Sequence, residues 1–210
     1  EDLFKHTHSH PLFTVEMLFE MKSQGNLLKT TDGKWTVSEA LNWDQIPAKI
    51  EAAIEKRLSQ LPNHLTQLLH AASVEGDIFT AEVIASTLNM KDEKVLDHLY
   101  DELDHHYKLI HPESSRRVNG GRLTRYRFTH ILFQKYIYNQ LDMVERIEMH
   151  EQVGEAMEQR YAAIIEEMYV PLAIHFELAG HPVKTIHYLE LAGKNALRFS
   201  SYVDSLDHYK

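Results

Sequence analysis

The segment YKLIHPESSRRVNGGRLTRYRF, residues 107–128, decides the fold of the central part of this chain. Residues 107–112 alternate with a period of two, which is typical of a short β-strand. The triplet Asn-Gly-Gly at 119–121 is a strong turn signal. A second short strand, with Leu123, Tyr126 and Phe128, follows this turn. The sequence therefore predicts a two-stranded β-hairpin in the middle of the chain.

Three helices are predicted directly before this hairpin, over about 62–75, 80–88 and 92–106. The residue types at their starts support these positions, because Pro62 fits a first helical turn, and Thr80 and Asp92 are expected to act as N-caps. A further helix precedes them, with its apolar residues on one stripe. The members of this stripe are Ile46, Ile50, Ile54, Leu58 and Leu61.

Three helices followed by a hairpin is the element order of a winged helix, a helix-turn-helix core with a small β-wing. We therefore predict a mainly α-helical chain in which residues 46–142 form a winged-helix domain with a two-stranded wing. Residues 1–45 are expected to hold a helix opened by Pro11 and ended by Gly25, and then a linker over 26–45.

Only helices are predicted after the hairpin. Thr129 is expected to cap the first, and a long helix is expected from Val144 to Glu166. Gly180-His181-Pro182 predicts a stop and restart, and Ser200-Ser201 a further break. Short turns between antiparallel helices are typical of an α-solenoid, so residues 143–210 are predicted to begin an array similar to tetratricopeptide repeats.

Composition excludes several classes of function. The net charge of −9 gives the 210-residue chain no general attraction to nucleic acid or to anionic membranes. Cysteine is absent, which excludes disulfides, thiolate zinc sites and cysteine nucleophiles and favours a cytoplasmic location. No apolar run reaches the roughly 20 residues that a membrane helix needs. The chain starts without Met and stops inside a helical pattern, so we expect a piece of a longer protein.

Several motifs, in this order, resemble one family, the STAND-type signal-transducing ATPases. Ser9-His10-Pro11-Leu12-Phe13 is similar to the "G-N-P-L-F" segment that closes their ATPase core, with Ser9 and His10 in place of Gly and Asn. Lys56 to Pro62 is similar to "x-R-L-x-x-L-P", and Tyr126 to His130 to "Y-R-F-x-H". His175 to Gly180 resembles the "H-F-x-x-A-G" opening of their helical repeats.

The resemblance implies a position for this chain within a larger ATPase. Residues 1–45 would be the end of the ATPase core and a linker, followed by the winged helix and the repeats. In such proteins ATP or ADP lies between core and winged helix, and a protein or small-molecule signal on the repeats opens the molecule. The partners implied are therefore the upstream core of the same chain and an unknown signal.

The resemblance also implies two nucleotide contacts, Pro11 near the base and His130 at the phosphates, both in the intact protein. The alternative for His130 is a residue that caps or packs locally. No P-loop pattern occurs in the chain, so no cofactor and no catalytic residue are expected in it, and we predict that it is not itself an enzyme.

A DNA-binding winged helix is the alternative function. Five arginines of the hairpin favour it: Arg116, Arg117, Arg122, Arg125 and Arg127. The predicted recognition helix over 92–106 opposes it, because its six carboxylates would be repelled by phosphates. DNA and membrane partners are therefore not expected. Two groups of residues have spacings that occur in metal sites: His6, His8 and His10, and the pair Asp101 and His105. Neither group provides a complete shell of metal ligands, so no metal site is predicted.

Overall fold

The computed structural model describes residues 14, 18, 21–22, 25–29, 35–37, 48–118 and 121–207. For positions 28, 36–37, 48–50, 53 and 199–207 it describes the backbone alone. The chain is mainly helical, with small antiparallel sheets. Among the described residues, no helix combines the length and apolar character that crossing a membrane requires.

The predicted linker at 26–45 contains a short antiparallel pair of strands, β1 (Leu27–Lys29) and β2 (Trp35–Val37), which the sequence analysis missed. Each strand has three residues, too few to show a period of two. Gly25 ends the preceding helical residues with a positive φ of 73°, a conformation that glycine adopts without strain. Pro11 lies outside the described residues.

The central part begins with two helices, α1 (Ala48–Leu58) and α2 (Asn63–Glu75). The predicted apolar stripe is confirmed where the structure describes it, since Ile54 is buried and Leu58 and Leu61 pack partly buried against the same core. Pro62 takes the N-cap position of α2.

A strand, two helical segments and a hairpin follow. They are β3 (Ile78–Thr80), α3 (Ala81–Thr87), α4 (Asp92–Asp97) with a wide π-helical continuation over His98–His106, β4 (Ile110–Val118) and β5 (Gly121–Phe128). The strand order is β3-β5-β4, all antiparallel. The predicted two-stranded hairpin is therefore present as β4 and β5. The sheet has a third strand that the sequence did not predict, because β3 pairs with residues 125–127 of β5.

None of the three residues predicted as N-caps, Thr80, Asp92 and Thr129, makes a side-chain capping bond. Thr80 occupies the N-cap position of α3, but its side chain makes no capping bond and instead meets Tyr161. Asp92 is the first residue of α4, behind Lys91 at the cap, and its carboxylate binds Arg160. The side-chain oxygens of Thr80 and Asp92 therefore bind residues that are distant in sequence and not the N–H groups at the helix ends.

The remaining elements are helical, as predicted: α5 (Ile131–Gln140), α6 (Met143–Arg160), a 3₁₀ segment (Ala162–Met168), α7 (Tyr169–Leu178) and α8 (Pro182–Asp207). The N-cap of α5 is His130, not Thr129. A capping box begins α6, in which Asp142 and Glu145 each accept the other's backbone N–H.

Two predicted helix ends were wrong. The helix expected to reach Glu166 ends at Arg160, because Tyr161 turns inward and Ile164 has non-helical angles, φ −136° and ψ 31°. The break expected at Ser200-Ser201 is absent, and α8 continues to Asp207. Serine costs a helix interior only about 0.5 kcal/mol relative to alanine, which two residues inside a long helix tolerate.

The buried apolar side chains of the described residues form two groups. The first lies between α1 to α5 and the sheet, with Phe79, Leu99 and Phe128 fully buried. The second lies within α6 and α7 but also includes Val83 of α3 and Leu123 of β5. The second core therefore spans from the sheet-bearing part into the helices that follow.

Candidate functional site: the interface between sheet and helical array

We call residues 63–140 the sheet-bearing part and residues 143–207 the helical array. The two parts meet where α3 packs against α6 and α2 packs against α6. Besides its apolar contacts, this interface carries four groups of polar contacts, which involve Arg160, Tyr161, His150 and Glu167 of the helical array.

Arg160, the last residue of α6, binds the start of α4. Its two Nη atoms donate to the two carboxylate oxygens of Asp92 at 2.9 and 2.7 Å, and its Nε donates to Ser86 Oγ at 2.6 Å. A guanidinium that engages both carboxylate oxygens is held in one orientation, which a lysine ammonium cannot reproduce. One side chain of the array thus fixes the positions of α3 and α4.

Tyr161, the next residue, inserts its hydroxyl into the sheet-bearing part. The hydroxyl lies 2.7 Å from Thr80 Oγ1, and both residues are buried. Burial raises the pKa of Tyr161, with the Glu75 carboxylate adding to the effect. The phenol therefore remains a neutral hydrogen-bonding group at physiological pH.

Two carboxylates close this buried region by accepting backbone N–H groups. Thr80 N–H donates to Glu75 Oε2 at 3.0 Å, and Thr124 N–H donates to Glu82 Oε2 at 2.7 Å. Burial raises the pKa of Glu75 to about 7, although its hydrogen bonds with Thr80 and the charge of Arg125 act in the opposite direction. Glu75 is therefore a group that titrates near neutral pH beside the interface.

Histidines join α5, α6 and α7 at the other end of the interface. His150 Nδ1 lies 2.9 Å from His175 Nδ1, and Tyr138 Oη lies 3.0 Å from His150 Nε2. Burial lowers the pKa of His150 to about 4 and that of His175 to about 3, so both rings are neutral at pH 7.

A neutral pair satisfies all these contacts when Tyr138 donates to His150 Nε2 and His150 Nδ1–H donates to His175 Nδ1. The guanidinium of Arg146 lies over the Tyr138 ring, 4.5 Å from its centroid, and lowers the pKa of His150 further. The histidines thus form a neutral hydrogen-bonded chain across three helices.

The tip of the hairpin also touches the array. Arg116 Nη1 donates to both carboxylate oxygens of Glu167 at 2.9 Å. Both side chains are at least half exposed, so solvent screens their attraction. The ion pair therefore stabilises the fold by only a few tenths of a kcal/mol up to about 1 kcal/mol. Arg127, within the sheet, binds Glu113 and Asp77. Two of the five hairpin arginines therefore pair with carboxylates of this chain.

His130, a predicted nucleotide contact, is buried, with 3% of its surface exposed. Its Nδ1 accepts the Leu132 N–H at 3.1 Å, so the local capping role that we left open as the alternative is what the structure describes. Pro11, the other predicted contact, lies outside the described residues. The nucleotide role of both residues stays a prediction.

The residues that build the interface were not identified from the sequence. Tyr161 and Thr80 are 81 positions apart, and Arg160 and Asp92 are 68 apart. A lone tyrosine or arginine at a helix end carries no local pattern, so no signal in a single sequence points to these pairs.

Comparison of the chain with known protein families, with curated proteins and with solved structures finds no significant match.

Proposed function

We propose that this chain is a non-catalytic regulatory and interaction module of a larger STAND-like signalling ATPase. In this proposal residues 46–142 are its winged helix and residues 143–210 begin its array of tetratricopeptide-like repeats. The order α2-β3-α3-α4-β4-β5, with β3 at one edge of the sheet, supports the first assignment. The succession of α6, α7 and α8, each packed against the next, supports the second.

The observation that carries the proposal is the interface between the two parts. A module that couples a sensor to a nucleotide site must pass a movement of the sensor on to that site. Domains joined only by a flexible linker do not transmit such a movement. Here the array reaches into the sheet-bearing part through Arg160 and Tyr161, whose partners lie on β3, α3 and α4. A shift of α6 caused by a signal on the array would therefore move the proposed winged helix.

The nucleotide contacts belong to the intact protein. We propose that the N-terminus of α5, capped by His130, faces the phosphates of ATP or ADP held by the upstream core, with Pro11 near the base. Helix N-termini favour anions because their first N–H groups have no partner within the helix. In the conformation described here the His130 ring is buried, so the contact requires local rearrangement in the closed state.

DNA binding remains the alternative function, and the structure offers it little support. The side chains of Glu93, Asp97 and Asp101 are exposed along α4 and its continuation, where a recognition helix would face DNA. A mobility-shift experiment at physiological salt should show only weak, non-selective binding. Nanomolar, sequence-selective binding would favour the alternative.

The coding sequence that precedes this chain tests the proposal first, because the proposal requires a P-loop there. The second test measures release of a fluorescent ADP analogue from the intact protein. Arg160→Ala should alter the rate of ADP release and weaken the response of this rate to the signal, because the array then loses its contact with Asp92 of α4. Lys194→Ala, a change on the exposed face of α8, is the control. Release and response identical to wild type in both variants would contradict coupling through this interface.

A further inference from the structure

Three potential metal ligands from two helices converge beside the core of the sheet-bearing part. His64 is the second residue of α2, and His98 and Glu102 lie in the π-helical continuation of α4. Glu102 Oε1 is 2.6 Å from His98 Nδ1 and 3.6 Å from His64 Nε2. All three ligand atoms lie within 4.8 Å of one another, and no other such group occurs among the described residues.

The backbone holds these ligands in place. Each one directly precedes a fully buried leucine: Leu65 after His64, Leu99 after His98, and Leu103 after Glu102. Because these leucines pack into one core, the Cα atoms of the ligands cannot separate without unpacking it. The side chains themselves are accessible, with 46%, 20% and 35% of their surfaces exposed respectively. An ion can therefore reach the group from solvent.

We propose that His64, His98 and Glu102 bind a divalent transition-metal ion, with Zn²⁺ as the best-fitting probe. Two imidazole nitrogens and one carboxylate oxygen suit Zn²⁺ and its neighbours, whereas Mg²⁺ and Ca²⁺ prefer oxygen ligands throughout. Three protein ligands leave a fourth position for water or for a group from a partner. This proposal is independent of the proposed signalling role.

The distances already approach those of a metal site. With metal–ligand bonds of about 2.1 Å, neighbouring ligands in a tetrahedron are about 3.4 Å apart. The separation between Glu102 and His64 matches this value, and the one between Glu102 and His98 needs to widen by less than about 1 Å.

The π-helical turns that continue α4 are a second reason to expect a functional site here. π-Helical turns are rare, and they occur frequently at functional sites. Here they run over nine residues, His98–His106, and contain two of the three ligands. No local sequence pattern reveals this group, because His64 comes from a different helix than His98 and Glu102.

Titration calorimetry of this chain with Zn²⁺ tests the proposal. We expect a site of one ion per chain that Mg²⁺ does not fill. His64→Gln with His98→Gln should weaken this site by about tenfold or more, since even supporting residues of metal sites affect affinity to that extent. The matched control is His105→Gln with His106→Gln, two exposed histidines of the same segment. Unchanged Zn²⁺ affinity in the first variant, or equal loss in both, would overturn the proposal.

Because the chain has 15 histidines, a spectroscopic test identifies the ligands directly. Cu²⁺ bound at one equivalent should show two nitrogen ligands in its electron paramagnetic resonance spectrum, and Glu102→Gln should change that spectrum while circular dichroism shows the fold retained. A spectrum with one nitrogen, or one that Glu102→Gln leaves unaltered, would mean that the three side chains form only a hydrogen-bonded cluster.

Discussion

The Nδ1 atoms of His150 and His175 face each other at 2.9 Å, and this contact holds α6 and α7 together in the neutral state. One nitrogen can donate to the other only while at least one of them lacks a proton. If both rings were doubly protonated, two N–H groups and two charges would be opposed in a buried site. The pair therefore makes the helical array sensitive to acid.

The first prediction concerns acid stability. The pKa values of His150 and His175 in the folded state, about 4 and about 3, lie below the ordinary value of 6.5, so the unfolded chain binds more protons. The stabilisation is complete above pH 6.5 and is lost as pH falls through 4 toward 3, by a few kcal/mol in all. Urea unfolding across this range should show that decline, and His175→Asn should flatten it. His105→Asn, an exposed control, should keep the wild-type slope; a flattened slope there too would contradict the assignment.

The second prediction concerns Glu75 and has the opposite sign. Its pKa rises from 4.5 to about 7 on folding, so the folded state binds the proton more tightly. Its contribution is most favourable below pH 4.5 and declines as pH rises through 7. Glu75→Gln keeps an acceptor for the Thr80 N–H and removes the titration. Relative to wild type, this variant should gain stability between about pH 5 and about pH 8. Wild-type and variant profiles that run parallel over this range would disprove the raised pKa.

The third prediction concerns the Arg160–Asp92 pair. Both side chains are about one-third exposed, so solvent screens their attraction, but the two-point geometry strengthens it. A double-mutant cycle with Arg160→Ala and Asp92→Ala should give a coupling energy of about 1 kcal/mol that falls with added salt. Arg160→Lys should recover less than half of it, because an ammonium cannot bind both oxygens and Ser86 together. Full recovery by lysine would show that charge alone matters.

The fourth prediction compares two glycines in the helical array. A Cβ at Gly154 of α6 would lie 3.1 Å from the ring of Phe176, which is fully buried and stacks on Tyr188. Gly154→Ala should destabilise the protein by about 1–3 kcal/mol through overpacking, which exceeds the gain in helix propensity. Gly193→Ala in α8 meets no atom within 4 Å and should stabilise by up to about 1 kcal/mol. Thermal unfolding of the two variants measures both signs; a stabilised Gly154→Ala would mean that Phe176 moves aside freely.

Local patterns in the sequence were sufficient for the main elements. The leucines of α2 and the alternation around Asn119-Gly120-Gly121 predicted the central helices and the hairpin, since each pattern repeats several times within one element. They were not sufficient for β3 or for the end of α6. A three-residue strand is too short to show a period, and the turn at Tyr161 depends on a hydroxyl partner elsewhere in the chain.

The sequence by itself therefore determined a mainly helical chain with a central hairpin, because helix and strand periods are properties of neighbouring residues. Tertiary structure alone decided which polar side chains meet. Thr80, Asp92 and His130 had plausible local roles, yet packing directed the first two to Tyr161 and Arg160 and left only the third as a cap. A buried hydrogen-bonding group takes whichever partner the packed core brings within reach, and that choice follows from burial rather than from distance along the chain.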